Sequence, residues 1–226
     1  MPAERYNSEG GVIARKVSDS ETHPGRELAY TPEAKAFISE HPGIVADVTS
    51  MVEAIGDGST VQELAKGDVK VSLEGQRDHS RFYLVEAFGE KFFLKADERV
   101  YKGAEGGFNE LVHSGEAKEL LKDMEGVEVV EYQLGYRDKK RNYFFSKWND
   151  VLASGESLED YVDALSDEVF FDEPGAAAAQ EELSQLNARS ALIRSRLAHY
   201  YDFDEQNMVY DKKNKKIIVF DLNVKK

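Results

Sequence analysis

The spacing of apolar residues divides the chain into a polar start, a helical stretch, a strand-rich middle, a second helical stretch and a final hairpin. Residues 1–30 mix Ser, Glu, Gly and Pro with few large apolar side chains and read as a loose, flexible arm. Thr31-Pro32 reads as an N-cap followed by proline at the first helical position. A second helix is predicted over 44–55 and ends at Gly56-Asp57-Gly58, and a short helix is predicted around 60–66. Val69, Val71 and Leu73 alternate with polar residues, as a half-buried strand requires. Phe82 to Val85 and Phe92 to Leu94 give two more strands with a turn near Gly89-Glu90.

A helix over 107–123 follows, with Leu111, Val112, Leu120 and Leu121 at helical spacing. Val127–Tyr132 and Asn142–Phe145 are predicted as strands around the charged turn Arg137-Asp138-Lys139-Lys140-Arg141. Beyond Trp148 the pattern turns helical, with an acidic cap at Ser157-Leu158-Glu159-Asp160. Pro174-Gly175 interrupts it before a long helix over 176–200, whose stripe is Leu183, Leu186, Ile193 and Leu197. The end reads as a hairpin, Met208–Tyr210 against Ile217–Phe220. The expected organisation is an arm (1–30), a helical extension (31–66), a sheet lobe (67–148) and a mostly helical lobe (149–226), with a hinge near Lys147–Asp150. The fold class is α+β, with a five-stranded antiparallel sheet in the first lobe.

Composition narrows the function classes. The chain of 226 residues carries 43 acidic and 29 basic residues, a formal charge of −14, which argues against unselective binding to nucleic acid or an anionic membrane. With no cysteine, disulfides and thiolate chemistry are excluded. No run of about 18 apolar residues is present to span a bilayer, and Met1–Gly11 lacks the apolar core of a secretory signal. A cytoplasmic protein, or one exported without a cleaved signal, is expected.

The densest chemistry lies near the end. In Asp202-Phe203-Asp204-Glu205-Gln206-Asn207 a carboxylate stands five residues before an amide, and Asp221 closes the apolar strand Ile217–Phe220. Phosphoryl transfer from ATP needs a carboxylate to orient the attacking hydroxyl, and a neutral oxygen and a second carboxylate to hold magnesium. Taken alone, Asp202 and Asn207 are also ordinary turn residues. The run from His199 to Tyr210, followed by Ile-Ile-Val-Phe-Asp221, resembles the catalytic loop and metal-binding strand of the protein-kinase-like superfamily, nearest its compact branches, the aminoglycoside phosphotransferases and the minimal effector kinases of bacterial pathogens.

The resemblance implies a two-lobed fold with a reduced C-terminal lobe that binds ATP and Mg2+, with Asp202 as catalytic base and Asn207 and Asp221 as magnesium ligands. Asp204 is a rival base at the wrong distance from Asn207. Lys95, on the strand Phe92–Ala96, takes the place of the phosphate lysine, and Glu116 on the following helix that of its partner, with Glu110 and Glu119 as competitors. The turn Gly75–Arg81 has a single glycine, and Gly75 and Ser80 stand where backbone N–H groups and a hydroxyl would cradle phosphate. Tyr200-Tyr201 and Leu222-Asn223 depart from the family pattern, and the sequence ends five residues after Asp221, as in a minimal kinase or a fragment. The expected activity is transfer of the γ-phosphate to a hydroxyl, on a protein substrate. A catalytically dead pseudokinase that binds a nucleotide or a partner, a small-molecule phosphotransferase and a nucleotidyl transferase are the alternatives.

Overall fold

The computed structural model describes residues 13–15, 27–56, 61–77, 79–98, 106–138, 140–153, 157–171, 174–198, 203 and 205–222. In chain order the elements are β1 (Ile13–Arg15), β2 (Glu27–Tyr30), α1 (Pro32–Glu40), α2 (Ile44–Gly56), β3 (Glu63–Lys66), β4 (Val69–Arg77), β5 (Ser80–Ala87), β6 (Glu90–Asp97) and α3 (Gly106–Leu121). Then come β7 (Val127–Val129), β8 (Tyr132–Arg137), β9 (Asn142–Lys147), α4 (Asp150–Ala153), α5 (Leu158–Phe170), α6 (Ala176–Arg196), β10 (Met208–Asp211) and β11 (Lys216–Val219). They form two compact units: Met1–Gly115 with Glu131–Asn149, and Glu116–Val130 with Asp150–Lys226.

The first unit is built on an eight-stranded sheet in the order β1-β2-β8-β9-β6-β5-β4-β3, every neighbouring pair antiparallel. Five strands were expected, and three more extend them at the two edges. β1 and β2 fall in the stretch read as a loose arm. Both are short, and β2 pairs with β8, a partner about a hundred residues away that no local periodicity reveals. β3 replaces the helix expected around 60–66. Its Glu63-Leu64-Ala65-Lys66 favours a helix locally, but the open edge of β4 captures it, and its charged, exposed side chains suit an edge strand. The expected strand Val127–Tyr132 divides in two: β7 joins a sheet in the second unit, while β8 begins at Tyr132.

Thr31 caps α1, its hydroxyl accepting from the Ala34 N–H at 3.3 Å, with Pro32 in the first turn. The α2 stripe Ile44, Val48, Met51, Val52 and Ile55 recurs at helical spacing and is buried against Val69, Val71, Val85, Leu94, Ala96 and Phe145 of the sheet. Each such side chain contributes about 1.5–3 kcal/mol by leaving water. The Thr49 hydroxyl bonds the Tyr136 hydroxyl at 2.7 Å beneath this layer. On the other face Leu111 of α3 meets Ala29, Tyr132 and Phe144. Register shifts between Leu73 and Gly75 in β4, and between Tyr132 and Leu134 in β8, change which face the following residues take. The second shift lets Tyr132 join Phe144 while Leu134 packs with the α2 layer.

In the second unit, Ser157 opens α5 with a capping box: its hydroxyl accepts from the Asp160 N–H while the Asp160 carboxylate accepts from the Ser157 N–H. Leu186, Ile193 and Leu197 are buried and Leu183 is half-buried, all packed with Leu158 and Leu165 of α5 and with Ile217 and Val219. β11 lies between β10, antiparallel, and β7, parallel. Gly126 turns the chain into β7 at φ +71°; a Cβ there would stand 3.1 Å from the Arg189 guanidinium and 3.3 Å from the Lys215 carbonyl.

Candidate functional site

The predicted residues fall into two groups, one in each unit. In the first, β6 presents Leu94 and Ala96 to the α2 layer and alternates Phe93, Lys95 and Asp97 to the opposite face. Lys95 is 1 % exposed, opposite Phe82 on β5 and Phe144 on β9. An ammonium so placed is retained only with compensating polar contacts. Polar side chains do gather on the same face: Ser80 stands opposite Asp97, which stands opposite Asn142, and all three are buried. Ser146, opposite Phe93, is 1 % exposed, and its Oγ has no hydrogen-bond partner among the described residues.

Beside this polar line runs an aromatic shelf, two of whose rings, Phe82 and Phe93, the sequence reading took only as strand residues. Phe82 and Phe93 stack with ring centroids 5.7 Å apart and planes 21° apart, and Trp148 approaches Phe93 at 6.5 Å. The backbone N–H of Trp148 donates to the Lys91 carbonyl at 3.1 Å, tying the end of β9 to β6. The signal was available in the two-residue period, since Phe93 and Lys95 share a face whenever β6 is a strand.

Gly75 and Ser80 sit in strands, not in the turn expected from 75 to 81. The shift after Leu73 lets pairing continue from Gly75 opposite Phe82 to Arg77 opposite Ser80, so only two residues connect β4 to β5. A Cβ on Gly75 would meet nothing within 4 Å, so close packing is not what demands a glycine there. Glu116 is exposed on α3 and belongs to the second unit, whereas Lys95 belongs to the first.

The second group lies at the open end of the β10–β11 hairpin. Asn207 closes a short 3-10 turn (Glu205–Asn207) immediately before β10, and Asp221 follows β11 by two residues. Met208 pairs with Val219, and the Phe220 N–H donates to the Asn207 carbonyl at 3.0 Å, so the hairpin brings Asn207 and Asp221 to the same end. Both are half-buried. Asp221 has φ +54°, a left-handed conformation that Phe88 and Lys215 also take in hairpin turns and that Asp adopts more readily than most non-glycine residues. Ser190 and Arg194 of α6 hold the turn through the Glu205 carboxylate, at 3.3 and 2.8 Å. Asp202, its rival Asp204 and His199 lie outside the described residues; Phe203 between the two aspartates packs against the core of this unit.

An amide oxygen and a carboxylate at one hairpin end are hard oxygen donors. They fit magnesium, which keeps several waters and takes only one or two protein carboxylates. Among the described residues no three His, Asp or Glu side chains form a ligand cluster.

No protein-family model matches the chain, and no curated protein matches it. Among solved structures, the crystal structure of Rad53 1–466 in complex with AMP-PNP is similar at a TM-score of 0.37 and 15 % identity, over 70 % of this chain and 38 % of that one. The chain thus spans well under half the length of that protein's structure. A TM-score this low leaves the functional argument to the residues themselves.

Proposed function

We propose that the chain is a magnesium- and ATP-dependent phosphotransferase that moves the γ-phosphate to a hydroxyl, with a protein as acceptor. The observation that carries the reading is that the hairpin brings Asn207 and Asp221 to the same end. The buried Lys95 on an antiparallel strand, beside a stacked aromatic pair, supports it. In this reading the first unit is the nucleotide lobe and the second the catalytic lobe, and the chain passes from one to the other at Gly115–Glu116, Val130–Glu131 and Asn149–Asp150.

Each residue then has a task. Asp202 orients the acceptor hydroxyl and takes its proton as that oxygen bonds to the γ-phosphorus and ADP leaves. Asn207 and Asp221 hold magnesium, which supplies neutralisation of the phosphate oxygens. Lys95 balances phosphate charge, Glu116 aims its ammonium, and Gly75 and Ser80 border the phosphates. Phe82 and Phe93 offer an apolar face to the adenine ring, and Ser146 Oγ a hydrogen-bonding group beside it.

The test is phosphate transfer with Mg2+ and ATP, read by mass analysis of the acceptor. Wild type is expected to add a phosphate, and Asp202→Ala, Asp221→Ala and Lys95→Met to lose about 10²-fold or more in rate while remaining folded. Addition of a nucleotide monophosphate instead would move the chain to nucleotidyl transfer. ATP binding with no transfer would leave a nucleotide-binding module, and no ATP binding would remove the reading altogether.

A further inference from the structure

The second unit carries an exposed aromatic pair at the end of α5. Phe170 and Phe171 are 81 % and 67 % exposed, and their rings meet edge to face with centroids 5.1 Å apart and planes 88° apart. Single apolar side chains are ordinary at a surface, but two adjacent aromatic rings left in water are the kind of anchor that protein interfaces bury. The same helix lines these rings up with charge. Asp160, Asp163, Asp167 and Phe170 recur at spacings of three and four residues, so they share one face of α5, and all four are exposed.

Nothing nearby in the chain offsets this charge. From Leu158 to Ala188, through α5 and the first half of α6, acidic residues recur and there is no lysine, arginine or histidine. Among the described residues Asp163, Asp167 and Glu168 form no ion pair. Carboxylates three and four residues apart on a helix repel one another. Asp167 and Glu168 also stand in the last turn of α5, where the helix dipole favours cations and no basic residue is present. A cationic partner relieves both. A second copy does not, because it brings the same acidic face and a formal charge of −14, and nucleic acid and anionic membranes are repelled likewise. We propose that the face of α5 from Asp160 to Phe171 docks a basic segment of another protein, its lysine or arginine side chains against Asp163 and Asp167 and an apolar side chain against Phe170 and Phe171. The surface is separate from the phosphotransferase reading, and its test reads binding alone.

The full chain is titrated into a dye-labelled synthetic peptide of repeated Lys-Leu-Leu-Lys units, and binding is followed by fluorescence anisotropy at about 10 and about 150 mM NaCl. The peptide is expected to bind, more weakly at the higher salt. Replacing its leucines with serine weakens it, and replacing its lysines with glutamate abolishes binding. Phe170→Ser with Phe171→Ser is expected to lower the affinity about tenfold or more, and Asp163→Asn with Asp167→Asn about threefold, with a smaller dependence on salt. Glu74→Gln with Glu125→Gln makes the same change of charge at exposed positions elsewhere and is expected to leave the affinity unchanged. Circular dichroism checks the fold of each variant, and the aspartate pair keeps the test standing if the phenylalanine pair fails to fold. No binding of the Lys-Leu peptide, or full affinity in a folded Phe170→Ser, Phe171→Ser variant, overturns the surface. An equal loss in the Glu74, Glu125 variant overturns the location, because the attraction is then that of the whole acidic molecule. Equal binding of the glutamate peptide overturns the partner class, and so does co-sedimentation of the chain with phosphatidylcholine vesicles that the phenylalanine variant loses.

Discussion

Asp221 holds a left-handed backbone at φ +54° in a chain that could have placed glycine there without that strain. For an L-residue the conformation costs about 1–2 kcal/mol, and glycine is largely spared it. Asp221→Gly and Asp221→Ala both delete the carboxylate, so comparing them isolates the backbone. The glycine variant is expected to be more stable by about 1 kcal/mol in urea denaturation, and both should lack phosphate transfer. Equal stabilities would show that the position carries no strain. Asp202 and Asn207 were visible as a pair in the sequence, and so was the apolar strand ending in Asp221. The backbone of Asp221 was not visible, because φ is set by how the chain leaves β11.

At the scale of the element, the hairpin aligns Asn207 with Asp221, and its register is fixed at the far end. The Asp211 carboxylate accepts from the Lys213 and Asn214 N–H groups at 3.1 and 3.0 Å, and from the Asn214 side-chain amide at 2.7 Å. These bonds, the Asn214 side chain foremost, hold the Asp211 carboxyl below its ordinary value of 3.8. The unfolded chain takes up that proton more readily. The contribution to stability is therefore complete above the ordinary value and is lost as pH falls through the lower folded value. Asp123, held down by the Arg196 guanidinium, acts in the same direction. Asp211→Ala is expected to unfold earlier at neutral pH and to lose less further stability than wild type between about pH 5 and pH 2. Parallel acid profiles for the two would show that the carboxylate does not hold the turn. This hairpin was legible because two short apolar runs, the polar turn between them and the flanking Asn and Asp all agree locally. β3 was misread because Glu63–Lys66 has no alternation of its own, and the division of 127–132 was hidden because its halves pair with strands in different units.

For the whole molecule, the core of the sheet followed from periodicity, while its edges depended on partners distant in sequence. Residues 13–15 and 27–30 are too short to announce strands, and tertiary pairing supplies what local pattern lacks. Charge acts at the same scale. With a formal charge of −14, repulsion among acidic groups opposes compaction at low ionic strength and is screened as the Debye length shrinks from about 30 Å to about 8 Å. The urea midpoint is expected to rise between about 10 and 150 mM NaCl. A fall would mean that the exposed ion pairs, such as Lys66–Asp47 and Lys70–Glu63, outweigh the repulsion. The three-stranded sheet of the second unit has a consequence in time. Its middle strand, β11, pairs with β7, about ninety residues earlier in the chain. At roughly 5–20 residues per second, β7 leaves the ribosome roughly 5 to 20 seconds before the strand that completes it. Throughout that interval Leu121, Met124 and an unpaired strand edge stand open to solvent. The second unit therefore completes its folding only once β11 has been made, however early its other elements form.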